Sequence, residues 1–251
     1  NLKSSVPLPH SAQKNDLEFL AQLNGAHRDR FPMEAELEAR IKHYELAARM
    51  QLSAEDVLDL QSETEATRQM YGLDQPATAD YGKRCLMARR LVESGVRFIH
   101  VEAPAQTPWD NHSNLKQGIE EIAAKVDLPS AALIRDLKQR GLLDSTIVLW
   151  TGEFGRLPTT QNGNGRDHNR HGFGSILAGG GFKSAYVHGS TDELGYKAVE
   201  GRVSCQDLMA TLLHQVGLDH KELTFSHHGR DETLTDPDVS HARVVDELLT
   251  V

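Results

Sequence analysis

One stretch constrains this chain more than any other: Ser145-Thr-Ile-Val-Leu-Trp-Thr-Gly-Glu-Phe-Gly-Arg156, followed by Gly165-Arg-Asp-His-Asn-Arg-His171. Thr146–Trp150 is a short apolar run rich in β-branched residues, set between Asp144-Ser145 and Thr151-Gly152. Such a run predicts a strand buried on both faces, as in parallel sheets. The chain then turns at once to Glu153, glycines and an Asp-His pair. In open α/β sheets ligands bind just outside the carboxyl ends of strands, so this edge is the place to look for a site.

The flanking patterns supply a scaffold. Residues 1–31, polar and carrying Pro7 and Pro9, read as a loosely held lead-in. Helical spacing follows over Met33–Met50, Ser53-Ala-Glu-Asp56 reads as a capping box, and Glu63–Tyr71 predicts a short helix stopped by Gly72. Tyr81–Glu93 predicts a further helix ending at Gly95. Val96–Val101 reads as a strand, and after it comes a loop holding Asp110 and His112. A long helix capped by Ser113 carries Leu115, Ile119, Ile122 and Val126, is broken or kinked at Pro129, and continues to Gly141. Strand–helix–strand units cross over right-handedly, which predicts that 96–101 and 146–150 lie parallel and open their loops on one edge. Gly174–Ala178 and Ala185–His188 predict two more strands, Ser204–Val216 a helix between an N-cap and Gly217, and Val244–Leu249 a last helix. The expected fold class is α/β: a lead-in and helical segment over residues 1–80, packing on an α/β domain over 81–251.

This topology gathers Asp110, His112, Glu153, Asp167 and His168, with His171 nearby. Carboxylate oxygens with imidazole nitrogens form a mixed set suited to Zn2+, Mn2+ or similar divalent ions. Taken singly, an Asp after a strand is more often a helix cap and a lone His more often packing; convergence on one edge favours ligands. Arg156 can match a tetrahedral anion, or simply pair with Glu153. His214 reads as structural, and His227-His228 as surface.

Composition narrows the functions open to such an edge. A net charge of −9 over 251 residues offers no basic field for nucleic acid, and no run reaches the ~20 apolar residues of a membrane span. Cys85 and Cys205 lack metal-ligand spacing and read as buried free thiols. The first residue is Asn rather than Met, as in a processed or truncated chain.

The runs Thr64-Glu-Ala-Thr-Arg, Tyr71-Gly-Leu-Asp, Trp109-Asp-Asn-His, Gly152-Glu-Phe-Gly-Arg, Gly165-Arg-Asp-His, Leu177-Ala-Gly-Gly-Gly and Thr191-Asp-Glu-Leu-Gly-Tyr together resemble the sulfatase-like domain-of-unknown-function family 1501, placed in the alkaline phosphatase superfamily. The resemblance implies a three-layer α/β/α sandwich with a mostly parallel sheet and two metal ions at its carboxyl edge. It places Asp110, His112 and His168 on one ion. Glu153 stands where another ligand Asp would be, Phe154 stands in place of its His partner, and Asp167 is a substitute ligand. It further implies a divalent cofactor (Zn2+, Mn2+, Ca2+ or Mg2+), a small anionic ester as substrate, and an exported or periplasmic location. The superfamily's first strand, its nucleophile and one metal ligand have no counterpart before residue 96, so the resemblance is to the C-terminal part of such a hydrolase. The expected function is metal-dependent hydrolysis of sulfate or phosphate esters. The alternatives are a catalytically inactive binding or structural module of the same fold and a phosphomutase-like transferase.

Overall fold

The computed structural model describes residues 10–31, 37–45, 57–103 and 109–250. The predicted capping box at Ser53–Asp56 and the ends of the predicted 33–50 helix lie outside the described residues. Where it is described, the polar lead-in is helical: α1 spans His10–Arg30, and residues 37–45 form a second helix (α2). Three further helices build the core. They are α3 (Glu65–Met70), capped by the Thr64 side chain on the Thr67 amide, α4 (Ala79–Glu93) and the long α5 (Leu115–Gln139).

The α4–α5 contact follows from spacing. Tyr81, Cys85, Leu86, Ala88 and Arg89 are buried on α4, and Ile122, Val126, Pro129, Ala132 and Asp136 on α5, each set recurring every three or four residues. Tyr71, with no exposed surface, joins them. Gly82 lets α4 approach the chain after α3, since a Cβ there would sit 2.2 Å from the Tyr71 carbonyl oxygen. The expected break at Pro129 does not occur: α5 runs on through it, and the proline is itself buried.

This interface is also charged. The Arg89 guanidinium, 1% exposed, meets Asp136 Oδ2 at 2.9 Å and Glu63 Oε2 at 2.7 Å and bonds Glu93 as well. Tyr71 donates its hydroxyl to Asp136 at 3.1 Å, Arg140 pairs with both Asp136 and Glu93, and Arg90 pairs with Glu63. Three guanidinium groups thus meet three carboxylates, which offsets the cost of taking each charge out of water. Burial alone would raise the Glu63 carboxyl, but hydrogen bonds from Arg89 and Arg90 outweigh it and hold the group below its ordinary range.

The β structure is small and antiparallel. β1 (Val148–Trp150) pairs with β4 (Ile176–Ala178), Leu149 opposite Leu177; β2 (Gly155–Arg156) pairs with β3 (His168–Asn169). β5 (Ser190–Thr191) pairs with β6 (Ala198–Glu200), and β7 (Thr224–His227) forms a hairpin with β8 (Arg230–Thr233). The class is therefore mixed α and β, but among the described residues every pair is antiparallel and two strands wide, in place of the expected parallel sheet. The expected strand at 96–101 is the main reason. Its backbone forms no strand and Phe98 is 87% exposed, because an extended segment becomes a strand only beside a ladder partner. β1 is likewise not buried on both faces: Trp150 is 42% exposed. The predicted strand at 185–188 is absent, and β5 begins at Ser190.

Toward the C-terminus α6 (Cys205–Gln215) carries a full capping box between Ser204 and Asp207, with Gly217 in the left-handed region beyond it. A short α7 spans Pro237–Ser240, and the predicted final helix is only a 3-10 turn at Asp246–Leu248. Cys85 is buried as expected, whereas Cys205, at the first turn of α6, is exposed.

Replacing Arg89 by Ala removes the cation that Asp136 and Glu63 share and leaves each with one guanidinium, Arg140 or Arg90, and should cost about 3–5 kcal/mol in urea unfolding. Because the Glu63 carboxyl is depressed in the folded chain, its contribution is present above the ordinary value of 4.5 and is lost as pH falls through the folded value. Urea midpoints at pH 6, 4 and 3 should therefore fall less steeply in Glu63→Gln than in the parent chain.

Candidate metal centre

Two loops that meet at the α5 N-terminus, 109–114 and 161–166, build the site together with the β2–β3 hairpin. Trp109 packs on the helical core and meets Trp150 of β1 edge to face at 6.0 Å, which fixes the start of the 109–114 loop. That loop is stitched to 161–166: the Arg166 amide donates to Asn111 O at 3.1 Å, the Leu115 amide to Asn164 O at 3.0 Å, and Asn162 Nδ2 to His112 O at 3.1 Å. The helix start is not capped by Ser113 as expected. Asn114 precedes α5 in a left-handed conformation (φ 52), and its amide donates to Asn164 Oδ1 at 3.0 Å. Gly165 is the closest seam, where a Cβ would lie 2.0 Å from the His112 carbonyl oxygen. On the other side the β2–β3 ladder sets Arg156 directly opposite His168.

The result brings together three of the residues singled out in the sequence. Asp110 Oδ1 lies 3.0 Å from His112 Nε2, 3.0 Å from His168 Nε2 and 2.7 Å from Arg156 Nη2. One ligand-type atom from each of Asp110, His112 and His168 lies within 4.8 Å of the others. His112 Nδ1 meets Gln161 Oε1 at 2.6 Å, so both ring nitrogens of His112 face oxygens. A neutral imidazole has one N–H and can donate to only one of them. Hydrogen bonds from His168 and Arg156, with the charges of His112 and Arg156, hold the Asp110 carboxyl at about 2, against an ordinary 3.8. The carboxylate that accepts these bonds is therefore present above its ordinary 3.8 and is lost only as the pH falls toward 2.

The other candidates fall around this centre. Asp167 accepts the His168 backbone amide at 2.7 Å and lies 3.9 Å from His112 Nδ1, at the edge of the cluster. Arg156 pairs with Asp110, the carboxylate across the loop. Glu153 is exposed between β1 and β2 and is outside the cluster of three. Phe154 lies against the His168 ring, centroids 4.2 Å apart. His171 stacks on Tyr196, His220 is buried against Thr235, and His227 and His228 are exposed. Gln161 was not signalled by the sequence pattern; an amide that supports a histidine has no spacing of its own.

Taken together, the loops and the small hairpin define a mixed α and β protein with a candidate divalent-metal centre. A family model described as "Protein of unknown function (DUF1501)" matches residues 1–249, and the chain belongs to that family. No curated protein and no solved structure matches it. No helix among the described residues is long and apolar enough to cross a membrane.

The seam at Gly165 can be tested directly. Gly165→Ala should cost about 1–3 kcal/mol, because backbone rather than a pliable side chain meets the new methyl. Gly174→Ala, with nothing within 4 Å, should stay within about 0.5 kcal/mol in the same urea titration.

Proposed function

We propose that this chain contributes a divalent-metal centre to a hydrolase of sulfate or phosphate esters, with Asp110, His112 and His168 as ligands. The observation that supports it is the convergence of two imidazole nitrogens on one carboxylate oxygen, each at 3.0 Å. A tetrahedral ion with bonds of about 2.0–2.1 Å separates its ligand atoms by about 3.3 Å, so small side-chain shifts would fit these three to one ion. Two nitrogens and an oxygen suit Zn2+ or Mn2+ better than Ca2+ or Mg2+, which prefer oxygen alone. When bound, such an ion would act as a Lewis acid on the ester oxygens and activate water.

The protein's own groups have separable roles in this reading. Gln161 fixes the His112 ring and Asp167 the His168 backbone, the kind of support that keeps ligand nitrogens aimed inward. Arg156 uses one donor on Asp110 and one on the Arg166 carbonyl, which leaves part of its five-donor fork to meet a tetrahedral anion. Glu153 is a further carboxylate beside the hairpin, supported by its place in the chain rather than by contact. No nucleophile is assigned to this chain. The reading carries with it the alkaline-phosphatase-like three-layer sandwich and the extracytoplasmic location that the resemblance implies.

A second reading is favoured by two specific contacts. Arg156 already neutralises Asp110, and Phe154 covers one side of His168, as expected of a binding or structural module that keeps the arrangement without turnover.

Elemental analysis of chain purified without chelator should find about one equivalent of divalent metal, and an Asp110→Ala/His168→Ala double variant should lose it. Equal trace metal in both would overturn the proposal. Gln161→Leu should weaken metal binding about 10–100-fold while leaving the ligands in place. Turnover of aryl sulfate or aryl phosphate with metal added, abolished in His168→Ala, selects the hydrolase; metal uptake without turnover selects the inactive module.

A further inference from the structure

Beside the trio lies a recess of about 350 Å³, lined by Phe154, Leu157, His168, His171 and Tyr196 among others. Its size falls within the range of small-molecule sites, about 300–1,000 Å³. Two ring pairs stand in its wall: Phe154 against His168, centroids 4.2 Å apart, and His171 stacked on Tyr196 at 5.3 Å and 27°. His168 therefore belongs at once to the metal-capable trio and to the recess.

The far wall is held by its backbone. Asn169, 1% exposed, donates from Nδ2 to the Tyr196 carbonyl at 2.7 Å and accepts the His171 amide on Oδ1 at 3.0 Å. The Tyr196 amide donates to Asp192 at 2.8 Å, and the Ala198 amide to the His171 carbonyl at 3.0 Å. The buried amide of Asn169 thus ties β3 to the segment before β6, and it does so through main-chain atoms. Tyr196 is thus fixed at its base, 41% exposed as a residue, and lines the recess. The anchoring hydrogen bonds use the backbone at 196, so the Tyr196 ring is held only by its stacking on His171 among the contacts described.

From this geometry we infer that the recess takes the aromatic leaving group of the ester, with Phe154 and Tyr196 as specificity-determining residues. The inference rests on the hydrolase reading for the word ester, but recognition of the ring depends on the recess alone. A flat ring seated there lies next to His168, which puts an attached sulfate or phosphate beside Asp110 and Arg156. Offset or edge contacts with Phe154 and Tyr196 favour an aromatic group over an alkyl one beyond the area they bury. An aliphatic ester presents the same anion and forgoes those contacts.

The test is isothermal titration of the full chain with three probes, 1-naphthyl phosphate, methyl phosphate and 1-naphthol, with and without Zn2+. With Zn2+, naphthyl phosphate should bind at least about tenfold more tightly than methyl phosphate, and Tyr196→Ala should remove most of that ratio while Zn2+ uptake is unchanged. Phe154→Leu, which keeps the apolar volume and removes the ring, should reduce the ratio in the same direction. Without Zn2+, naphthol should still bind the parent chain and bind at least about fivefold more weakly to Tyr196→Ala. Equal binding of the two phosphates, or a preference that survives both substitutions, overturns the inference. If Zn2+ uptake fails while naphthol binding follows Tyr196, the metal-hydrolase reading falls and the aromatic recess stands.

Discussion

The structure depends on a guanidinium that has no access to water. Arg89 sits between α4 and α5 with Asp136 and Glu63 as partners, and it is the cation the two carboxylates share, each having a second guanidinium of its own in Arg140 and Arg90. Because Glu63 precedes α3 and Asp136 lies on α5, the one cation sets three helices against each other, and Tyr71 adds its hydroxyl to the same carboxylate. Apolar contacts around Leu86 and Ile122 supply the larger driving force, but they are non-directional. The charged cluster specifies which turns of α4 and α5 meet. That register matters for the site, since the 109–114 loop is the lead-in to α5.

From the helix outward, rigidity is transferred by backbone hydrogen bonds rather than by a sheet. Asn164 satisfies both the Asn114 and Leu115 amides, and Gly165 allows the 161–166 loop to lie against His112 without a side chain between them. The β2–β3 ladder then delivers His168 and Arg156 as cross-strand neighbours, a spacing a two-residue strand can hold only because its ends are tied to the same loops. Asp110 is thereby approached from one side by its own loop and from the other by the hairpin.

Much of this was legible in the sequence, though not always for the right reason. The helices α3, α4, α5 and α6 follow from apolar spacing and from end signals such as Gly72 and the Ser204 cap, which are local. Asp110, His112 and His168 were grouped by assuming that strands at 96–101 and 146–150 run parallel. The structure groups them through an antiparallel hairpin and an asparagine-rich seam instead. Pairing partners are long-range facts, and the β-branched run at 96–101 carries no information about whether a neighbour exists. Arg89 and Asp136 were invisible for a related reason: on a helical pattern a charged residue reads as the solvent face, and only the tertiary meeting of opposite charges permits its burial. The same blindness applies to Gln161.

The arrangement around His112 shows why a cation is the natural complement to this loop cluster. Its two nitrogens face the Gln161 oxygen at 2.6 Å and the Asp110 oxygen at 3.0 Å. With the Gln161 amide oxygen facing Nδ1 and taking the one ring proton, the remaining lone pair points at a carboxylate, an unfavourable contact unless positive charge lies between them. A second ring proton would supply it, and so would a shared metal ion. Arg156 neutralises Asp110 from the opposite side, which lessens the repulsion and leaves the directional conflict in place. A second ring proton would satisfy His112 and Asp110 as a pair, while His168 keeps its own hydrogen-bond distance of 3.0 Å to the same oxygen. A metal ion uses His112, Asp110 and His168 at once, and it makes the Gln161 contact a support for the ligand ring. That is the physical ground for reading the three residues as one site.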